Sequence, residues 1–252
     1  MKKILALVIA LTLMCVMLVS CNNPTSLLTK ADAALEKDPY AITMKMKFEC
    51  DNPELNQIFS LMNIEVPATV DGKNLAMDMS MDMMGYTADA KVIVADMVMY
   101  YNMQMMGQSV KMKSTINETQ YQQFMEESNT EMMIKPEDFG ELTVEKKDGK
   151  KYITCDEIGE KGLKELNRIM ANALTGIGAT ATVSDVAYGV ILNNGKYESM
   201  DMTCVYSVTV DGETYNVTLK MNAKFSYGNV AKITAPADAD QYEQVDFSDL
   251  MG

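Results

Sequence analysis

The sequence contains neither histidine nor tryptophan, and Arg168 is its single arginine. Without imidazole it lacks the Ser/His/Asp triad, the Cys/His dyad and the histidine-bound metal site, which excludes the commonest acid–base and zinc chemistries. The chain carries 22 lysines and arginines against 35 aspartates and glutamates, and its net charge of -13 opposes binding to a nucleic-acid phosphate backbone. Its carboxylates lie in no recognisable catalytic motif, and it has no phosphate-cradling glycine loop. We therefore expect a protein that is not an enzyme, needs no cofactor and binds no nucleic acid.

The first 20 residues have the organisation of an export signal. Met1-Lys2-Lys3 is basic, and Ile4 to Ser20 is uncharged and almost wholly apolar, but this run is short for a membrane-spanning helix. It ends in Leu18-Val19-Ser20-Cys21, which resembles the lipobox of bacterial lipoproteins. The resemblance implies that residues 1–20 are removed, that Cys21 is acylated, and that residues 21–24 tether the protein to the cell membrane, facing outside the cytoplasm. An ordinary secretory peptide and an uncleaved anchor are the alternatives.

The other cysteines are too few and too scattered for a disulfide framework. Cys15 leaves with the signal and Cys21 is consumed by lipid, so Cys50, Cys155 and Cys204 remain. Three thiols form at most one disulfide, and their spacing does not suggest a metal site. We therefore expect the fold to depend on its apolar core.

Alternating apolar and polar residues, separated by Asp-Gly and Asn-Gly turn signals, dominate the rest of the chain and predict strands. Apolar residues at helical spacing predict helices over 24–38, 55–62, 117–128 and 160–174. A sheet this long, with few helices, tends to curl over them. We expect an α+β fold with a single domain over residues 25–236 and an irregular acidic tail over 237–252. The predicted strands are 40–48, 66–70, 74–84, 86–95, 97–105, 109–113, 142–146, 151–155, 182–192, 197–210, 214–227 and 230–235.

Methionine is abundant, with 25 residues against six phenylalanines, and it concentrates on one side of the predicted strands. Met77, Met79 and Met81 alternate with aspartate and serine, and a period of two places them on one face of the sheet. Methionine is flexible and adapts to variable apolar guests, whereas an ordinary core favours Leu, Ile, Val and Phe. The candidate ligand-binding residues on this face are Met44, Met46, Phe48, Met77, Met79, Met81, Met99, Tyr101, Met103, Met202, Tyr206, Leu219, Met221 and Phe225.

Two other interpretations of the methionines remain open. The first is a plain, filled core with no ligand. The second is a Cu(I) site, because thioether sulfur is a soft ligand suited to that ion. Against copper, the side chains of one strand face are spread along the sheet, and no histidine or nearby cysteine completes a ligand set. Met84 and Met106 lie outside the alternation and could join a small cluster at the strand ends.

The organisation of the chain resembles the bacterial lipoprotein-carrier superfamily, which includes the LolA/LolB carriers, the LppX/LprG lipoproteins and uncharacterised Gram-positive relatives. The shared features are the lipobox, a first helix, a long antiparallel sheet in two runs with helices between them, and the closing stretch Ala231-Lys-Ile-Thr-Ala-Pro236. The resemblance implies a strongly curved antiparallel sheet, an incomplete β-barrel, with helices covering a concave face that holds lipid. With Arg168 alone the chain lacks the marked arginine hook of the carriers, so lipoprotein trafficking itself does not follow.

From these features we expect a membrane-anchored lipoprotein that binds an apolar or acylated ligand on its methionine-rich face without catalysis. A structural or adhesive surface lipoprotein with a filled core is the alternative from another functional class. A methionine-based Cu(I)-binding protein comes third. The sequence names no protein partner.

Overall fold

The computed structural model describes residues 26–61, 63–83, 86–105, 107–121, 141–173, 179–210 and 212–248. The signal segment, Cys21, Met84, Met106 and most of the predicted helix 117–128 lie outside the described residues. The helices are α1 (Ser26–Lys37), α2 (Pro53–Ser60) and α3 (Glu160–Ala173). The strands are β1 (Tyr40–Cys50), β2 (Asn63–Asp71), β3 (Asn74–Met83), β4 (Tyr86–Ala95), β5 (Val98–Met105), β6 (Gln108–Thr115), β7 (Thr143–Lys147), β8 (Lys150–Cys155), β9 (Ala179–Asn193), β10 (Lys196–Val210), β11 (Glu213–Tyr227) and β12 (Glu243–Gln244).

These strands form one sheet in the order β12-β6-β5-β4-β3-β2-β1-β11-β10-β9-β8-β7. Neighbouring strands are antiparallel except β12 and β6, which run parallel. The sheet is curved, and its outermost strands β12 and β7 do not pair with each other, so it remains unclosed. The prediction of an α+β protein built on a curved antiparallel sheet is confirmed at this level.

Tight turns join consecutive strands where the sequence places its Asp-Gly and Asn-Gly pairs. Gly72 and Gly195 have φ angles of 59° and 77°, the left-handed conformation that favours glycine in hairpin turns. The turn between β4 and β5 reaches the same conformation with Asp96 and Met97, at φ angles of 51° and 62°. The prediction that Met97 begins a strand is wrong, because its backbone turns the chain before β5 starts.

The two faces of the sheet differ in polarity. On β1, Met44 and Met46 are buried on one side, which we call the apolar face, while Lys45 is exposed on the other, the polar face. The alternation stays in register across neighbouring strands, so that Met46 is opposite both Met221 of β11 and Ile64 of β2. The main core therefore lies against the apolar face.

Each helix contributes apolar side chains to this main core. The first helix contacts β10 and supplies Leu28 and Ala31. The second contacts β1, where the ring centroids of Phe59 and Phe48 are 5.9 Å apart. The third contacts β9 and supplies Leu166. None of the described helices is long and apolar enough to cross a membrane.

The chain after β11 departs from its prediction. The predicted strand 230–235 is wrong, because this stretch is irregular and lies on the polar face, where Ile233 packs with Ile93 and Tyr100. Strand β11 already pairs with β1 on one side and β10 on the other, so the residues that follow it cannot pair beside β11 as a next hairpin strand.

The predicted irregular tail also has defined structure. We call residues 237–248 the C-terminal strap. It contains a short 3-10 helix and β12, and its Tyr242 packs edge-on against Tyr100 at 5.4 Å between centroids. The backbone N–H of Val245 donates to the carbonyl oxygen of Lys113 at 2.9 Å. The strap thus follows the polar face to the β6 edge.

Candidate functional site

The structure divides the predicted ligand-binding residues into two main groups. The first group is at most 4% exposed and belongs to the filled core, with most of its members on β1, β10 and β11. Side chains packed in this way offer no open surface to a ligand. They are Met44, Met46, Phe48, Met81, Met202, Tyr206, Leu219 and Met221.

The second group lies on β3 and β5 and keeps open surface. Met77, Met79, Tyr101 and Met103 are half-buried on the apolar face, and Met112 of β6 continues the group beside Tyr101. We call these five residues the methionine patch. Every described residue of the apolar face from β3 to β6 is uncharged. The patch is therefore an apolar surface within reach of solvent.

Strand β4 runs between the methionines of β3 and β5 and carries small side chains there. Ala90 is opposite Met79 on one side and Met103 on the other, and Ala88 and Val92 continue the row along the strand. Neighbouring strands lie about 4.8 Å apart, so β3 and β5 are about 10 Å apart across these alanines. From these side-chain sizes we infer a shallow groove along β4, flanked by the long methionine side chains.

A separate apolar cluster closes one end of this groove. It joins residues of β4 and β5 to the segment after β6 and to the strap, and its members are at most 8% exposed. On β6 the side chains become more exposed away from the cluster, and Val110 is 50% exposed. The predicted residue Met99 therefore closes the groove instead of lining it. The cluster consists of Val94, Met99, Ile116, Tyr121 and Phe247.

Tyr101 brings a polar atom into the patch. Its Oη donates a hydrogen bond to Sδ of Met103 at 3.3 Å, and both side chains lie on the apolar face of β5. Burial raises the pKa of the Tyr101 phenol, so the hydroxyl keeps its proton at neutral pH. The patch therefore contains a hydrogen-bond donor whose acceptor, a thioether, is a weak one.

A polar contact between α1 and β10 was missed by sequence reasoning. Tyr197 donates a hydrogen bond to Oδ1 of Asp32 at 2.7 Å, while Oδ2 of Asp32 is buried with no hydrogen-bond partner among the described residues. Burial raises the pKa of Asp32 to about 6, and the bond from Tyr197 lowers it by less. The signal was present, because Asp32 lies four residues after Leu28 and three before Leu35, on the apolar stripe of α1. The predicted residue Phe225 packs here, with its ring centroid 5.4 Å from that of Tyr197.

The described cysteines and carboxylates do not form a reactive or metal-binding site. Cys50, Cys155 and Cys204 are free thiols. Burial raises the pKa of Cys204 to about 12, so its thiolate, the reactive form, is disfavoured at neutral pH. Within the described ranges no three cysteine, aspartate or glutamate side chains come together as metal ligands would. The candidate site is therefore the apolar groove of the patch.

A crevice that the sequence did not predict lies on the polar face. Its volume is about 450 Å³, and it opens between the sheet and the irregular stretch 230–236, with Asn102 and Tyr242 in its lining. Two lysines line it, Lys232 from the irregular stretch and Lys91, whose ammonium group is paired with Asp78 at 3.0 Å. None of the predicted ligand-binding residues lines this crevice.

Comparison with known proteins gives no family. No family model matches the chain, and no curated protein matches it. Among solved structures, the ywiB protein from Bacillus subtilis is 9% identical, with 77% of this chain and 94% of that chain covered and a TM-score of 0.19. MucB in complex with MucA(peri) is 9% identical over 82% of this chain and all of that chain, with a TM-score of 0.13. Similarity at this level supports no inference about fold or activity.

Proposed function

We propose that the protein is a membrane-anchored lipoprotein, exposed outside the cytoplasm, that binds an apolar or acylated ligand in the groove of the methionine patch. The observation that carries this proposal is the difference between two halves of one sheet face. On β1, β10 and β11 most side chains of the apolar face are buried, whereas Met77 and Met79 of β3 and Tyr101 and Met103 of β5 remain half-buried on the same face. A soluble domain ordinarily buries such a surface, and an exposed apolar patch indicates an interaction site.

The chemistry of the groove favours a single alkyl chain as its occupant. The floor of alanines leaves space, and the flanking methionines are flexible enough to close around guests of different shape. Each buried CH2 group of a guest contributes about 0.8 kcal/mol before the cost of ordering it. The described residues of this face from β3 to β6 are uncharged, so the ligand needs no ionic group to match them.

We further propose that the apolar face is the concave side of an incomplete β-barrel, as in the lipoprotein-carrier superfamily that the sequence resembles. The helices α1, α2 and α3 cover the part of this side that lies over β1, β9 and β10, which their contacts with those strands support. The groove along β4 is then the part left for a ligand, and Cys21 holds the protein at the membrane from which an acylated ligand would come.

A structural or adhesive surface lipoprotein is the second candidate. The packing of Met44, Met202 and Met221 favours it, because these methionines behave as ordinary core residues at 3–4% exposure. In that interpretation the patch is an incompletely buried margin of the same core and has no ligand of its own.

A matched pair of tryptophan substitutions separates the two candidates. Residues 22–252 retain every described element, since the first of them begins at Ser26. In this chain Met79→Trp places a ring in the groove, whereas Met202→Trp places the same ring in the filled core. Each variant and the parent are tested for uptake of an environment-sensitive fluorescent fatty acid and for chemical unfolding.

We expect Met79→Trp to fold with nearly unchanged stability and to lose probe uptake, because the ring occupies the space of the guest. Met202→Trp should lose about 1–3 kcal/mol of stability through overpacking. Probe uptake by the parent protein, abolished at position 79, supports the proposed function. No uptake by the parent, together with equal destabilisation by both substitutions, would leave the structural lipoprotein as the better interpretation.

A further inference from the structure

Resting on the proposed function, we propose that Tyr101 is the polar anchor of the groove and that it selects an acyl ligand with a neutral oxygen acceptor, such as an ester carbonyl. Bare hydrocarbon and free carboxylate are then the disfavoured guests.

The position of Tyr101 is the first argument. It lies on β5 opposite Val92 of β4 and Met112 of β6, so apolar side chains surround it on both neighbouring strands. The other oxygen-bearing or nitrogen-bearing side chains described on this face between β3 and β6 are Gln108 and Ser114, at the two ends of β6. Among the described side chains of β3 to β6 on this face, Tyr101 therefore places a hydroxyl directly beside Val92, where a guest lying along β4 would pass.

The hydrogen bond of Tyr101 is the second argument. Its hydroxyl donates to the thioether of Met103, which is a weak acceptor, over 3.3 Å. A carbonyl oxygen is a better acceptor, and the Met103 side chain is flexible enough to move aside for it. A guest carbonyl can therefore take over this donor without leaving a strong protein acceptor unsatisfied.

The charge of the surroundings is the third argument. The apolar face from β3 to β6 offers no cation among its described residues, so a buried carboxylate would lose its hydration without gaining an ionic partner. The net charge of -13 adds repulsion toward an anion. An uncharged ester loses much less hydration free energy on burial, and its carbonyl oxygen can accept the hydrogen bond that Tyr101 donates.

The test compares two guests that differ in the ester group. Decyl acetate and dodecane are each titrated against the fluorescent fatty acid bound to residues 22–252, at pH 7 and with laurate as a third competitor. Tyr101→Phe removes the hydroxyl and keeps the ring. Tyr100→Phe is the matched control, because Tyr100 is the next residue and its side chain lies on the polar face against Tyr242.

We expect Tyr101→Phe to weaken the binding of decyl acetate about three- to tenfold, the range of one neutral hydrogen bond, and to leave the binding of dodecane unchanged. Tyr100→Phe should change neither affinity. In the parent, decyl acetate should bind more tightly than laurate. Met103→Leu, which removes the thioether acceptor and keeps a similar volume, should leave the ester preference intact or increase it.

Three outcomes would overturn the inference while leaving the proposed function standing. Tyr101→Phe could lower the affinity for decyl acetate and dodecane equally, or change neither affinity. The parent protein could also bind laurate more tightly than decyl acetate. A parent protein that takes up neither the fluorescent fatty acid nor its uncharged methyl ester overturns the proposed function itself. Thermal unfolding of each variant shows whether a lost affinity comes from a lost fold.

Discussion

Tyr197 of β10 donates a hydrogen bond of 2.7 Å to Oδ1 of Asp32, and this contact joins α1 to the sheet. Tyr197 is 2% exposed, and the pKa of Asp32 is raised from 3.8 to about 6, chiefly by burial and to a smaller extent by the charge of Glu36. The folded protein therefore keeps the proton on Asp32 up to a higher pH than the unfolded chain does. Because a raised carboxyl pKa means that the folded state binds more protons than the unfolded state between pH 4 and pH 6, stability falls as the pH rises through this window.

We predict that Asp32→Asn removes this pH dependence while the amide oxygen still accepts the hydrogen bond from Tyr197. The free energy of unfolding of the parent, relative to the variant, should fall by about 1–2 kcal/mol between pH 4 and pH 6 and stay constant above pH 7. A two-unit shift in a fully buried group corresponds to about 3 kcal/mol, and the partial exposure of Asp32 reduces it. Denaturant titrations at each pH measure the difference.

The free energies of unfolding of the parent and of Asp32→Asn must be subtracted at each pH, because other carboxylates change the stability with pH in the opposite direction. Hydrogen bonds from Lys150 and Lys111 lower the pKa values of Glu198 and Asp238, so these pairs lose stability as the pH falls. Asp201→Asn, the same change at an exposed site on the polar face, is the control for replacing a carboxylate by an amide. A pH-independent difference between Asp32→Asn and the parent would contradict the prediction.

Phe247 connects the strap to the closed end of the groove. It is 6% exposed and packs with Val94, Met99 and Tyr121. We predict that Phe247→Ala lowers the free energy of unfolding by about 2–4 kcal/mol, as expected for a truncated buried phenylalanine near the margin of a domain. The exposed neighbour substitution Asp246→Ala should change it by less than about 0.5 kcal/mol. Equal stability of the two variants would show that the strap does not hold this cluster together.

The local pattern of the chain predicted most strands because burial alternates within each strand, and it predicted the helices from their apolar stripes. This local pattern does not show which strands lie next to each other in the sheet. The stretch 230–235 alternates like a strand, yet β11 leaves it no free edge. The same limit affects the site, since Met46 and Met79 have the same alternating sequence context. The tertiary packing makes the first a core residue, between Met221 and Ile64 and under the helices, and leaves the second half-buried.

Asp32 is the opposite case, because its buried position could have been predicted from the sequence. An acidic residue at helical spacing from Leu28 and Leu35 is a polar group on an apolar stripe, and such a group needs a partner when it is buried. The partner, Tyr197, lies 165 residues away along the chain, so its identity depended on the tertiary structure.

The anchor proposed at Cys21 makes a prediction independent of the fold. Cys21→Ala should abolish labelling with fatty acid and release the protein from the membrane fraction, because the residue resembles the acylated cysteine of a lipobox. Cys15→Ala, six residues earlier in the apolar run, is the control and should leave both properties unchanged. Metabolic labelling and membrane sedimentation measure them. A Cys21→Ala protein that still labels and sediments with membranes would show that the chain is not a lipoprotein.

The methionine patch finally allows a prediction about Cu(I). Thioethers suit this ion, but Met77 and Met79 stand two residues apart on β3, about 7 Å along the strand, and Met103 lies across β4 beyond Ala90. Drawing three sulfur atoms around one ion would remove these side chains from their packing, and neither histidine nor a patch cysteine is there to replace one of them. We therefore expect residues 22–252 to bind Cu(I) no more tightly than micromolar in competition with a Cu(I) chelator. The double variant Met79→Leu/Met103→Leu should behave like the parent. Much tighter, stoichiometric binding that this variant loses would make the patch a metal site and displace the acyl ligand from the groove.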